Sequence, residues 1–304
     1  MPCTPALLDT SSNRFSPSVR IGNWYEDSCL EEHKQNVFKR QRDRGELLVE
    51  KARALFDNFH KEVVLNAPKK HLSFGAVVQI MPIYVNLCDV DTSDMNPALS
   101  VIINEQVVRS SQSINEECEL TVAPSDRSCV RNSFRIVSGD STDRTNEVLK
   151  YGQHFRFECV EPVDDPIWLY SAPKQCNLLH PIRTTFDSHK QGEVNYPLGL
   201  VHRSNCGIGR NVPTAHSNWF CIHVDPNKRF ESEGKEMPSN SPIVIVHAAT
   251  NRNLAVENVV IQTLFGPEFL VSVQNYRNIY RRETWKNVWM ISNGHQTNAK
   301  RVPH

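Results

Sequence analysis

Cys206 follows His202 by four residues in the run His202–Arg210. A thiol beside an imidazole is the pairing a cysteine nucleophile needs, because the base takes the proton that leaves a reactive thiolate. No third, orienting group accompanies the pair in the sequence, and a loop with glycine turns and a packed cysteine accounts for the same letters. Gly207-Ile208-Gly209 is a fragment of a phosphate-binding loop. The G-x-G-x-x-G spacing is not completed and no Lys-Ser/Thr follows, which excludes nucleotide binding there. The chain has 12 histidines, but His216 and His223 stand seven apart across a predicted strand and would face opposite sides of it. No metal site is expected. The carboxylate pairs Asp164-Asp165 and Glu116-Glu117 sit in polar, turn-like stretches where adjacent side chains diverge, and they read as solvated turns rather than an acid/base couple. The expectation is a protein with no catalytic residues and no cofactor.

Residues suited to binding a partner are easier to find. Lys39, Arg40, Arg42 and Arg44 form the densest basic cluster, and on a helix Arg40 and Arg44 share a face. They are interleaved with Asp43, Glu46 and Glu50, as on an ordinary solvated helix face. The other reading is pairing with an acidic partner, since the guanidinium fork fits a carboxylate. Trp24 and Tyr25, beside Arg20 and Asn23, are the types that form interface hot spots. The same aromatic pair could instead pin the N-terminal arm onto the body of the protein.

The elements that must position these residues follow from the texture of the chain. With 304 residues, 39% hydrophobic and 22% charged, there is enough apolar material for a sizeable core. Lys+Arg 34 against Asp+Glu 34 leaves no global field to draw the chain onto nucleic acid or an anionic membrane. No apolar run reaches the roughly 20 residues that span a bilayer. The polar N-terminal stretch lacks a signal-peptide core, no N-x-Ser/Thr acceptor occurs, and the 9 cysteines are scattered. These features together suggest a reducing compartment.

Residues 1–27 read as an arm. Residues 28–66 read as a charged amphipathic helix, with Ser28 and Glu31 at capping-box spacing and Leu48, Ala52, Leu55, Phe56 and Phe59 as an apolar stripe. Gly45 is a candidate break in it. From Leu72 the chain turns to short apolar runs between Pro, Gly, Asn and Asp, and these runs repeat. An aromatic-Gly opening begins Phe74-Gly75-Ala76-Val77-Val78-Gln79-Ile80 and Tyr151-Gly152-Gln153-His154-Phe155-Arg156-Phe157; Pro242–Val246 is a third copy without that opening. A closing phrase, Asn-x-Phe/Trp-x-Ile, occurs at Asn132–Ile136, Asn218–Ile222 and Asn287–Ile291. Residues two apart share a strand face, so Phe134 with Ile136, Phe220 with Ile222 and Trp289 with Ile291 are expected to line one core. Three such units, about 72–137, 148–224 and 240–293, would close on one another within a domain of 67–297, leaving a tail at 298–304. The expected fold class is mainly β: a β-trefoil-like closed barrel of three repeated units, preceded by the arm and the α-helical segment.

The phrase Val19-Arg20-Ile21-Gly22-Asn23-Trp24 with Glu26-Asp27 resembles the N-terminal signature of the cilia- and flagella-associated protein 161 family. Arg42–Leu48, Lys150–Phe155, His247–Ala255 and Asn287–Ile291 are similar to the same family in the same order, over roughly 19–294. His247–Leu254 also looks like a MIR-type repeat. Departures from the family pattern fall at 82–97 and 172–216, in loop length and composition. The resemblance implies a structural microtubule inner protein of axonemal doublets in the cytoskeleton of the cilium or flagellum. Such a protein binds the lumenal face of the tubulin lattice in the A-tubule together with neighbouring inner proteins, and it contacts neither nucleic acid nor membrane. Arg20, Asn23, Trp24, Tyr25, Arg40, Arg42 and Arg44 are the candidate partner-binding residues. Two rivals remain from the residues themselves. One is a carbohydrate- or ligand-binding trefoil, although polar partners do not recur around Trp168, Trp219 and Trp289; the other is a hydrolase using Cys206.

Overall fold

Twelve strands join one antiparallel sheet in the computed structural model, which describes residues 24–65, 69–83, 96–110, 113–125, 127–140, 142–172, 196–207, 210, 212 and 214–294. They are β1 (Val77–Pro82), β2 (Asn96–Ile102), β3 (Glu119–Ser125), β4 (Phe134–Ser138), β5 (Phe155–Cys159) and β6 (Ile167–Ser171). There follow β7 (Tyr196–His202), β8 (Trp219–His223), β9 (Pro242–His247), β10 (Arg252–Thr263), β11 (Gly266–Val273) and β12 (Trp289–Ser292). Neighbours run β9-β12-β1-β4-β5-β6-β7-β11-β10 and return to β9, so the sheet closes as a nine-strand antiparallel barrel. Strand β8 pairs with both β5 and β9 and cuts from this circuit a shorter ring, β1-β4-β5-β8-β9-β12. The other strands form the hairpins β2–β3, β6–β7 and β10–β11. Closure leaves the ring without the unpaired edge that invites a stray strand.

Main-chain hydrogen bonds recur three times around that ring. The amides of Gly75, Gly152 and Asn240 donate to the carbonyls of Ile136, Cys221 and Ile291 at 2.7, 3.0 and 3.0 Å. All three donors have positive φ, at 81°, 77° and 56°. That conformation is free to glycine and tolerable to asparagine, so Asn240 supplies the third opening that the sequence lacks as an aromatic-Gly pair. The Leu72 amide donates to Met237, Met237 to Leu149 and Leu149 back to Leu72, at 3.0, 2.8 and 2.8 Å. This closed triangle joins residues that are at most 1% exposed.

The same bonds correct the expected register of the second unit. Strands β4, β8 and β12 bury alternate residues: Phe134 and Ile136, Trp219 and Cys221, Trp289 and Ile291. Phe220 and Ile222, expected inside, are only partly buried. Because the side-chain period is two, reading one aromatic too late moves the whole strand to its other face. The buried counterpart of Asn132 and Asn287 is therefore Ser217, not Asn218.

Two compact units divide the chain, Met1–Ala54 and Leu55–His304. The smaller holds α1 (Trp24–Asp43) and the first turns of α2 (Leu48–His60). Where one helix over 28–66 is expected, there are two. Gly45 stands between them at φ 67°, with its amide bonded to the Arg42 carbonyl at 3.0 Å. Ser28 lies inside α1, so the expected capping box does not start the helix. In the larger unit, Leu55 and Phe59 are buried, and Phe56 packs on Phe265 at the tip of the β10–β11 hairpin, with ring centroids 4.7 Å apart. Arg131 covers the same Phe265 ring at 3.8 Å and pairs with Glu268 at 2.6 Å. Thr121 donates to the other Glu268 oxygen at 2.5 Å.

Candidate partner-binding site

Helix α1 is long and nearly all exposed; among its described side chains only Leu30 is buried. Its charge is graded along the axis. Glu26, Asp27, Glu31 and Glu32 occupy the first half; Lys34, Lys39, Arg40 and Arg42 the second, with Asp43 the one acidic residue there. Acid at the N-terminus and base at the C-terminus complement the helix dipole, so the arginine cluster stabilises the helix whether or not a partner binds. Arg40, Arg42 and Arg44 are all exposed. Arg42 turns its Nη2 onto its neighbour Asp43 at 2.9 Å, while Arg44 lies just past the helix end, its amide bonded to the Arg40 carbonyl at 3.1 Å. Tyr25 is 68% exposed in the first turn. Trp24 begins α1, whereas Arg20 and Asn23, like the rest of the arm through residue 23 and the tail, lie outside the described residues.

The residues that could do chemistry are engaged in holding the barrel. The Cys206 thiol faces the Ser217 hydroxyl at 3.8 Å, and burial pushes its pKa up despite the Ser217 hydrogen bond and the Arg156 charge. A thiol held protonated is a poor nucleophile. His202 does have a carboxylate, since its Nδ1 lies 3.2 Å from Asp165. That carboxylate also accepts from the Ser204 hydroxyl at 2.7 Å, and Glu116 accepts from the His202 amide and the Asn205 side chain at 2.8 and 2.9 Å. Asp165 and Glu116, expected as solvated turn residues, instead clamp the single turn Arg203–Asn205. His216 donates to the Ser171 carbonyl at 3.0 Å, and His223 accepts from the Asp225 amide at 3.0 Å. Among the described residues no group of three or more His, Cys, Asp or Glu is placed to hold a metal ion.

The tryptophans that could form sugar platforms are occupied too. Trp219 and Trp289 are fully buried, and each indole N–H donates to a hairpin carbonyl, Leu169 at 3.1 Å and Leu254 at 2.9 Å. Trp168 donates to Glu158 at 3.1 Å and lies under the Arg156 guanidinium at 4.5 Å. A ring with no free face cannot stack on a sugar. Two hollows, of about 370 and 400 Å³, indent the larger unit; Arg127, Arg131 and Asn132 line one, and Tyr151, His223 and Lys235 the other.

Residues 276–283 escaped the sequence reading, although Arg277-Asn278-Ile279-Tyr280-Arg281-Arg282 carries its own signal, aromatic and aliphatic side chains among three arginines. Ile279 and Tyr280 are 88% and 76% exposed, and Phe230 is 89% exposed. Among the described residues no helix is long and apolar enough to cross a membrane.

Comparison with known proteins gives a consistent result. The chain is 28% identical over 292 residues to Cilia- and flagella-associated protein 161 of Bos taurus, covering 93% of this chain and 84% of that protein. The proteins of the same name from Danio rerio and Mus musculus are each 29% identical over 293 residues, covering 93% and 95% of this chain and 89% and 91% of theirs. Among solved structures, the SDF2-like protein from Arabidopsis thaliana aligns at a TM-score of 0.44 and 13% identity, over 73% of this chain and 94% of that one, a resemblance too loose to bear on function. The family model for the Cilia- and flagella-associated protein 161-like domain matches residues 51–294, the whole of the described barrel. The chain belongs to the cilia- and flagella-associated protein 161-like family.

Proposed function

We propose that this protein is a non-catalytic structural component of cilia and flagella, a microtubule inner protein bound to the lumenal tubulin lattice of the axonemal A-tubule beside other inner proteins. Family membership carries this reading: relatives bearing the ciliary name align along 93% or more of the chain. The role is distributed binding, in which many modest contacts along a polymer reinforce one another because each raises the effective concentration of the next. Tyr25, Arg40 and Arg42 on α1, Arg44 just past its end, Trp24 at its first position and Arg20 and Asn23 before it in the sequence are the proposed partner contacts.

The body suits such a role as a rigid brick. We take it as a β-trefoil of MIR-like type, with lobes of about 72–137, 148–224 and 240–293. The triply repeated hydrogen bonds and the Leu72–Met237–Leu149 triangle support that reading. The test is to express the tagged chain in ciliated cells and isolate salt-washed doublets. Retention with the doublets, with density on the lumenal wall, is the expected result. Recovery wholly in the soluble fraction overturns the proposal.

A further inference from the structure

The loop that joins β11 to β12 carries a tight, exposed tip that sets apolar side chains among arginines. Arg277, Ile279, Tyr280, Arg281 and Arg282 are all exposed. The tip is held from within. The Asn278 side chain accepts from the amides of Tyr280 and Arg282, both at 3.0 Å, and the Asn278 amide donates to the Arg282 carbonyl at 2.8 Å. Arg281 adopts a left-handed φ of 60° that a side chain of its kind rarely takes, so neighbouring contacts hold the backbone in a costly form. The carboxylate of Glu283 at its base is 2% exposed and is neutralised by Arg277 at 3.7 Å and by Arg229. Arg229 belongs to the single helical turn Arg229–Ser232, whose next residue, Phe230, is 89% exposed. A part-buried ion pair thus joins the turn that carries Phe230 to the base of the Ile279-Tyr280 tip.

We infer that the Arg277–Arg282 tip and Phe230 form a docking surface for an acidic protein surface. Water-exposed Phe, Ile and Tyr cost hydration free energy that only a covering partner returns. Tyrosine and arginine are the types that dominate interface energetics, and a preorganised loop loses little entropy on docking. The sign of the partner follows from charge: among the described residues no acidic side chain pairs with Arg281 or Arg282, and the one carboxylate of the tip is already neutralised. A guanidinium pair beside an apolar centre fits carboxylates around an apolar patch. This surface uses residues other than the α1 candidates and, in its choice of probe, rests on the lattice-binding reading above.

The experiment co-assembles the purified full-length chain with αβ-tubulin and measures co-pelleting against salt. Two variants are compared with wild type, Arg281→Glu/Arg282→Glu and Phe230→Ser/Ile279→Ser/Tyr280→Ser. All five side chains are exposed, so both variants are expected to melt at the wild-type temperature. The charge variant is expected to bind at least tenfold more weakly, with half-release at lower salt; the apolar variant is expected to bind about tenfold more weakly with its salt dependence unchanged. Variants that co-assemble like wild type overturn this surface and leave the lattice reading standing. A wild type that fails to co-assemble overturns both. Equal loss of binding to single-stranded RNA or to phosphatidylserine vesicles would mark a generic polyanion patch and overturn the assignment as well.

Discussion

His247 carries its imidazole into complete burial without a charge. Its Nε2–H donates to the His216 carbonyl and its Nδ1 accepts from the Thr250 hydroxyl, both at 2.8 Å, which fixes one neutral tautomer. Burial drives its pKa down to about 4, against a smaller upward pull from the His216 carbonyl. The unfolded chain therefore takes up a proton below its ordinary value of 6.5 that the folded chain refuses until about 4. Stability rises with pH across that window and is lost as pH falls through it, by ~3 kcal/mol in all. Denaturant midpoints between pH 7 and 4, read as the difference between wild type and His247→Gln, should show this slope; equal slopes in the two proteins would contradict it. The thiols divide in the same way. Cys118 is pushed up to about 12, and Cys159 and Cys221 are also raised, all chiefly by burial, whereas Cys29 is exposed. A thiol reagent at pH 8 is expected to modify Cys29 in the folded protein, and Cys118, Cys159 and Cys221 only after unfolding. Little of this was legible in the sequence: Thr250 is local to His247, but His216 reaches it, and Ser217 reaches Cys206, only through the fold. The Trp219-Phe220 pair shows the limit most clearly. Phe220 fits the Asn-x-Phe/Trp-x-Ile phrase and Trp219 does not, yet the fold turns Trp219 and Cys221 inward, with the Gly152 amide bonded to the Cys221 carbonyl.

At the scale of elements, the turns that enter β1, β5 and β9 were legible wherever glycine marks them, and hidden where asparagine does the same work. Substituting alanine at each separates the two costs involved. At Gly75 a Cβ would meet the Thr145 methyl at 3.0 Å in a left-handed backbone; at Gly152 it would meet only a flexible Glu233 carbon at 3.5 Å. Gly152→Ala should therefore cost about 1–2 kcal/mol from backbone strain alone, and Gly75→Ala more. Asn240→Ala should cost less than either, and Asn240→Gly almost nothing, since asparagine already carries a Cβ there. Midpoints of chemical denaturation rank the four. The buried Arg131–Glu268 pair was not legible, because its members stand 137 residues apart. It ties the turn before β4 to β11, and to β3 through Thr121. Glu268→Ala strands a buried guanidinium and is expected to cost roughly 3–5 kcal/mol, most of which Arg131→Met in the same chain should restore. A double variant as unstable as the single one would show that the pair contributes through packing rather than charge.

Across the whole molecule, the repeat of strand phrases announced a closed β barrel, since units that cannot bury their own faces must bury one another's. The main-chain triangle was invisible in the sequence, because Leu72, Leu149 and Met237 share no motif and are joined only through backbone atoms. Their amides should be among the slowest to exchange with deuterium, and all three should exchange at one rate set by global unfolding. Three distinct rates would mean that parts of the barrel open separately. The triangle has a further consequence for how the chain is made. Leu72 finds its acceptor in Met237, and Leu149 finds its acceptor in Leu72, so the first residue of the cycle to be synthesised waits for the last. Ribosomes add 5–20 residues per second, so the interval from Leu72 to Met237 lasts on the order of ten seconds. Throughout it the early strands exist as a nascent chain with apolar faces open to chaperones. A premature stop codon before Met237 would leave a fragment for the proteasome rather than a smaller working protein.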